Sequence, residues 1–159
     1  MLNTITKGID FLVEKQGQFT SFLIVPLLFI VLYEVLMRYA FNAPTVWGFE
    51  ATAFAYGMHY MLGLSFMENA EGHVRVDIVT SRFPARVQAI IMVAGYLLIF
   101  LPVYALMTWG AVKFAHTAVI TNELNSTSWA PRIWPYKIIM ALSFLLLVIQ
   151  GLSTMLKNL

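Results

Sequence analysis

Four long apolar stretches separated by polar segments dominate the chain. They run about Gln18 to Tyr39, Trp47 to Met67, Val87 to Val112 and Ile133 to Met155. A bilayer core of about 30 Å needs roughly 20 apolar residues per helix, and each stretch meets that length. The pattern predicts an all-α integral membrane protein: four transmembrane helices in a single domain, residues 1–159, and no soluble globular fold.

The connections sharpen the picture. The first, with Asn42-Ala43-Pro44, is short enough for a tight helical hairpin. The second, Glu68 to Arg86, alternates polar and apolar residues at His73-Val74-Arg75-Val76-Asp77. Asp77 is expected to cap a short interfacial helix there, and Pro84 suits the first turn of the third span; a solvated connection is the alternative. The third, Lys113 to Arg132, is rich in Thr, Asn and Ser. Pro26 is expected to bend the first span and Pro102 to kink the third, since each removes a backbone donor. The first apolar run continues to Met37 without a small-residue cleavage site, so it reads as a permanent helix with signal-anchor behaviour.

Composition agrees. The chain is 60% hydrophobic and 11% charged, with mean hydropathy +0.76, against about 25% charged in soluble domains. Lipid is the solvent such a surface needs. The net charge of +2 comes from scattered basic residues, which argues against nucleic-acid binding. With no cysteine, disulfides, thiolate metal sites and cysteine nucleophiles are excluded.

Charge also orients the chain. Lys7, Lys15, Arg75, Arg82, Arg86 and Lys157 fall on one side, and Arg38, Lys113, Arg132 and Lys137 on the other. The richer side is expected inside, which makes both termini cytoplasmic in a bacterial inner membrane. Trp47, Trp109, Trp129 and Trp134 then share the periplasmic interface, as a lipid belt or a docking face.

Few residues invite chemistry. Glu34 and Arg38 stand one helical turn apart, and Glu50 follows just across the hairpin, so Arg38 is expected to bridge both carboxylates. A structural clamp is favoured over a proton or ion relay, because a fixed guanidinium quenches its neighbours' proton affinity. His59 is central in the second span, but neither His73 nor His116 matches its depth for a bis-histidine haem. It reads instead as an interhelical hydrogen-bonding residue. Ala51, Ala53, Ala55 and Gly57 permit close helix packing. Asn125-Ser126-Thr127 matches a glycosylation sequon, a triplet that arises by chance. No catalytic residue, metal-ligand spacing or cofactor motif emerges, and the residues alone describe a small helical membrane subunit that is not an enzyme.

The order Arg38-Tyr39, Trp47, Glu50, Gly63, His73 to Asp77 and Pro84, followed by Glu123, Ser126, Trp129, Pro131, Trp134 and Gln150, resembles the small (DctQ-type) membrane subunit of tripartite ATP-independent periplasmic (TRAP) transporters. The likeness covers roughly Glu34 to Gly151. It implies a scaffold for a separate, large membrane subunit that holds substrate and sodium sites. It also implies a periplasmic substrate-binding protein that captures an organic acid such as a dicarboxylate or sialic acid. The matched residues, Glu34, Arg38, Trp47, Glu50, His73, Asp77, Glu123, Trp129 and Trp134, then carry structural or interface roles, with no cofactor. Two other classes stand beside it: a self-contained exporter or channel coupled through Glu34 or Glu50, and a cytochrome-type membrane anchor.

Overall fold

A computed structural model of the chain describes residues 2–70 and 83–157. His73, Asp77 and the expected interfacial helix lie outside these residues.

The described chain is helical. Helices α1 (Leu2–Phe22) and α2 (Ile24–Tyr39) make a first rod, and α3 (Gly48–Asn69) a second. Helix α4 (Ala85–Gly95), a π-helical turn (Tyr96–Phe100) and α5 (Leu101–Ile120) make a third, and α6 (Trp134–Lys157) a fourth. Both irregularities trace to proline. Pro26 has no N–H for the Phe22 carbonyl, and the helix lapses at Leu23, whose amide bonds the Thr20 carbonyl at 3.0 Å. Pro102 has none for the Leu98 carbonyl, and the turn before it widens so that the Leu101 amide reaches the Tyr96 carbonyl.

Among the described residues, three segments are long and apolar enough to cross a membrane: Thr6–Tyr39, Arg86–Ile120 and Trp134–Lys157. Two helices run beyond the expected spans. The first apolar helix begins well before Gln18, because residues 2–17 are helical and bury Thr6, Val13 and Gly17. The third continues past Val112 to Ile120, so Lys113 and His116 stand on a helix rather than in a loop. At 1.5 Å per residue these two segments are about 50 Å long, an excess that tilting or ends in the headgroup region takes up. Helix α3 is long enough at 22 residues, but Glu50, His59, Glu68 and Asn69 make it less apolar than the other three.

Side-chain pairings set the directions. Thr20 with His59 and Gln16 with Ser65 run in opposite chain order, so α1 and α3 are antiparallel. Lys137 over Phe114 and Gly151 against Phe100 make the third rod and α6 antiparallel. Tyr136 beside Phe54 and Gln150 beside Asn69 make α3 and α6 parallel. Helix α6 is the hub, touching α1, α3 and α5, while α2 packs on α3.

The interior is small and polar, and the exterior is large and apolar. Gln150, Ser65, Ser143 and Ser153 are fully buried beside Leu147 and Val13, whereas Leu106, Leu98, Phe22 and Phe29 are exposed. Lipid tails are as apolar as leucine, so helices associate here through close packing and hydrogen bonds. The third rod meets α6 through Ala111 and Ala115, which cluster on Ala141, and Ala118 is buried further along the same helix. That small-residue stripe lies on α5, beyond the one legible in the second span. Toward the chain's two ends, Gln150 donates to Asp10 (3.1 Å) and to Asn69 (3.0 Å), and Lys157 pairs with Asp10 at 2.6 Å.

Candidate functional site

At the opposite end of the rods, the first hairpin, the third loop and the start of α6 bring most of the expected polar residues together. Glu34, on the last turns of α2, is buried. Its one oxygen accepts from Arg38 at 2.7 Å, the pairing that the four-residue spacing and acid-first order favour. Its other oxygen accepts from the Thr45 amide at 3.3 Å and from the Thr45 hydroxyl. The same hydroxyl accepts from the Gly48 amide at 3.1 Å, one of the donors that the first turn of α3 leaves unpaired. Gly48 allows this approach, since a Cβ there would collide with the Glu34 carboxylate and the Thr45 hydroxyl. Asn42, in left-handed conformation at φ 49°, turns the chain out of α2. Trp47 closes the hairpin by stacking on Tyr33, rings 5.7 Å apart.

Arg38 does not bridge to Glu50. The guanidinium is half exposed and pairs with Glu34. Glu50 is buried one turn into α3 and accepts from the Asn125 side-chain amide at 3.1 Å. A short link between two helices fixes their depth but not the rotation of each about its axis, and here Glu34 faces Arg38 and Thr45 while Glu50 faces Asn125.

The third loop is built to present Asn125. Leu124 and Arg132 form an antiparallel bridge, the Asn125 amide donates to the Pro131 carbonyl at 2.8 Å, and the Ile133 amide donates to Glu123 at 3.1 Å. Ala130 closes the turn at φ 46°. Below it, Lys137 on α6 pairs with Glu123 at 2.5 Å and lies 3.5 Å over the Phe114 ring. The lysine is 5% exposed, so its charge is met by one carboxylate and one aromatic face.

Of the tryptophans, Trp129 sits half-exposed in this loop, and Trp134 opens α6. Trp109 is not near a helix end: α5 runs on for three turns, and Lys113 covers the exposed indole at 5.0 Å. His59 makes the interhelical bond expected of it, to the Thr20 carbonyl at 3.0 Å.

Every carboxylate of this layer is already met by donors, so the geometry ties α2, the hairpin, α3, the loop and α6 together. Sequence reasoning missed Thr45, Asn125 and Lys137 as partners. Thr45 carried a signal, as a threonine just before a helix start. Asn125 and Lys137 carried none, because their partners come from other rods or from across the third loop.

Comparison with known proteins adds a family. The family model for the DctQ component of tripartite ATP-independent periplasmic transporters matches residues 27–159. The C4-dicarboxylate TRAP transporter small permease protein DctQ of Vibrio cholerae serotype O1 is 30% identical over 83 residues, 47% of this chain and 36% of that one. The match thus spans about a third of that relative's length.

Proposed function

We propose that this chain, which belongs to the DctQ component family of tripartite ATP-independent periplasmic transporters, scaffolds a sodium-coupled importer of an organic acid. Membership makes it a transport component of the membrane. In the proposed complex, a separate large membrane subunit holds the substrate and sodium sites, and a periplasmic binding protein delivers a carboxylate. The C4-dicarboxylate named for the Vibrio relative supports a dicarboxylate, with sialic acid the other candidate.

The observation that carries the reading is the family match from α2 to the end of α6. In the bacterial inner membrane, α3 serves as a fourth span, antiparallel to α1 and α2 and parallel to α6, with both termini cytoplasmic. The charged residues support that depth. Lys137 and Lys157 are twenty residues apart on α6, about 30 Å at 1.5 Å per residue, the thickness of a hydrocarbon core. Glu50 and Glu68 on α3 are about 27 Å apart by the same rise. The layer of Glu34, Thr45, Glu50, Asn125, Glu123 and Lys137 then holds the periplasmic end in shape for assembly and for docking.

Purification and reconstitution test this. The chain should co-purify with a much larger membrane protein, and carboxylate uptake should require that protein, a periplasmic binding protein and a sodium gradient. Sodium-driven uptake by the 159-residue chain alone would overturn the scaffold reading.

A further inference from the structure

Helix α3 packs against α1, α2 and α6, and what it leaves uncovered is one line of residues. Its exposed positions are Phe49, Ala53, Tyr56, Tyr60 and Met67. Their spacing follows the rhythm of a helix–helix seam, and Gly63 occupies the step between Tyr60 and Met67. The line is as wide as a single helix contact.

Its chemistry does not suit lipid. Tyr60 lies about 15 Å along α3 from Glu50 and about 12 Å from Glu68, close to mid-depth on the reading of α3 as a span. Tyr56 sits one turn nearer Glu50, its ring 4.4 Å from that of Tyr60. Both rings are about half exposed, Tyr56 at 52% and Tyr60 at 58%, and since two hydroxyls can spend only one O–H on each other, at least one proton is left for an outside acceptor. Tyrosine favours the headgroup region, and an unmet donor in hydrocarbon is costly. Beside the line runs a groove of about 360 Å³ between α1 and α3, lined by Gly17, Thr20, His59, Tyr60, Gly63 and Phe66 among others. His59 Nδ1 must donate to the Thr20 carbonyl, because a carbonyl only accepts. With Nδ1 as the donor, Nε2 of a neutral ring is an acceptor.

We infer that this seam and groove receive a transmembrane helix of the large membrane subunit. The helix that fits carries small residues opposite the tyrosines, an acceptor for the remaining tyrosine proton and a donor for His59. The inference rests on the reading of this chain as a transporter subunit. A second copy of this chain fits less well, since two parallel seams related by a two-fold axis would set each bulky ring against its own twin. Lipid would leave the tyrosine proton unmet.

The chain has no cysteine, so single cysteines carrying a benzophenone probe report their neighbours in membranes that contain the whole transporter. Ala53→Cys and Tyr60→Cys should photo-crosslink to the large membrane subunit, and Leu98→Cys and Leu106→Cys, on the exposed face of the third rod, should label lipid. Gly63→Leu is the second arm. Open space surrounds a Cβ at Gly63, so the chain should be recovered in normal amount while co-purified large subunit falls about tenfold, or ~1.4 kcal/mol of association. Leu106→Trp should change neither. Seam adducts only with lipid or with a second copy, or full co-purification of Gly63→Leu, would overturn the inference. Adducts to the large subunit from Leu106→Cys instead of the seam would sink it while leaving the subunit reading intact. If no position yields such an adduct and the wild-type chain purifies without a large partner, both readings fall.

Discussion

Glu50 and Asn125 lie 75 positions apart in the chain and 3.1 Å apart in space, joining the first turn of α3 to the third loop. The carboxylate is buried, so the asparagine amide replaces water that it gave up. Asn125→Ala should lower the midpoint of thermal unfolding in detergent, at a cost of about 1–3 kcal/mol for the stranded carboxylate. Asn125→Asp, which sets two carboxylates face to face, should be worse, and the Glu50→Gln variant should tolerate Asn125→Asp better than wild type does. Equal midpoints for Asn125→Ala and wild type would mean that the contact contributes nothing.

Thr45 gives Glu34 two donors, its amide and its hydroxyl, whereas Arg38 holds the same carboxylate from a half-exposed position. Exposed ion pairs contribute little. Thr45→Val should therefore reduce the yield of assembled complex more than Arg38→Ala does, and Thr45→Ser should restore it. Because Arg38 does not touch Glu50, the double exchange Arg38→Glu with Glu50→Arg should give no mutual rescue. Recovery in that double mutant, read as complex yield, would restore the Arg38–Glu50 bridge.

The Glu123–Lys137 pair is lopsided: the lysine side chain is 6% exposed and the glutamate 37%. Removing the glutamate leaves a buried ammonium with only the Phe114 face. Removing the lysine leaves a carboxylate that water reaches. Glu123→Ala should accordingly destabilise by about 2 kcal/mol, below the ~3–5 kcal/mol of a fully buried broken pair, and Lys137→Met should cost less. Chemical or thermal unfolding of the two single mutants decides the order.

Orientation can be read with the same cysteine-free background. A cysteine replacing exposed Ser126 in the third loop should react with an impermeant maleimide in intact cells. One replacing exposed Lys7 in α1 should react only after the inner membrane is opened. The reverse pattern would invert the topology.

The apolar runs alone determined that the chain is helical and membrane-embedded, because lipid leaves a backbone few choices other than a helix. They also placed the hairpin at about Phe41 to Val46, and Pro26 and Pro102 marked both irregularities, which are local effects of a missing N–H. Helix ends were less legible: the helix before Gln18 and the extension past Val112 contain charged residues that an apolar-run reading treats as boundaries. The Glu34–Arg38 pair was visible because a helical turn is local. Its neighbour Glu50 was assigned the wrong partner, because nothing along the chain says how far α3 is rotated against α2. Only the tertiary structure set that rotation, and with it Asn125 on Glu50, Lys137 under Glu123, and Gln150 between Asp10 and Asn69. Such contacts depend on which faces of separate rods meet, and in a bundle packed by small residues that choice rests on close fit between helices rather than on any apolar stripe.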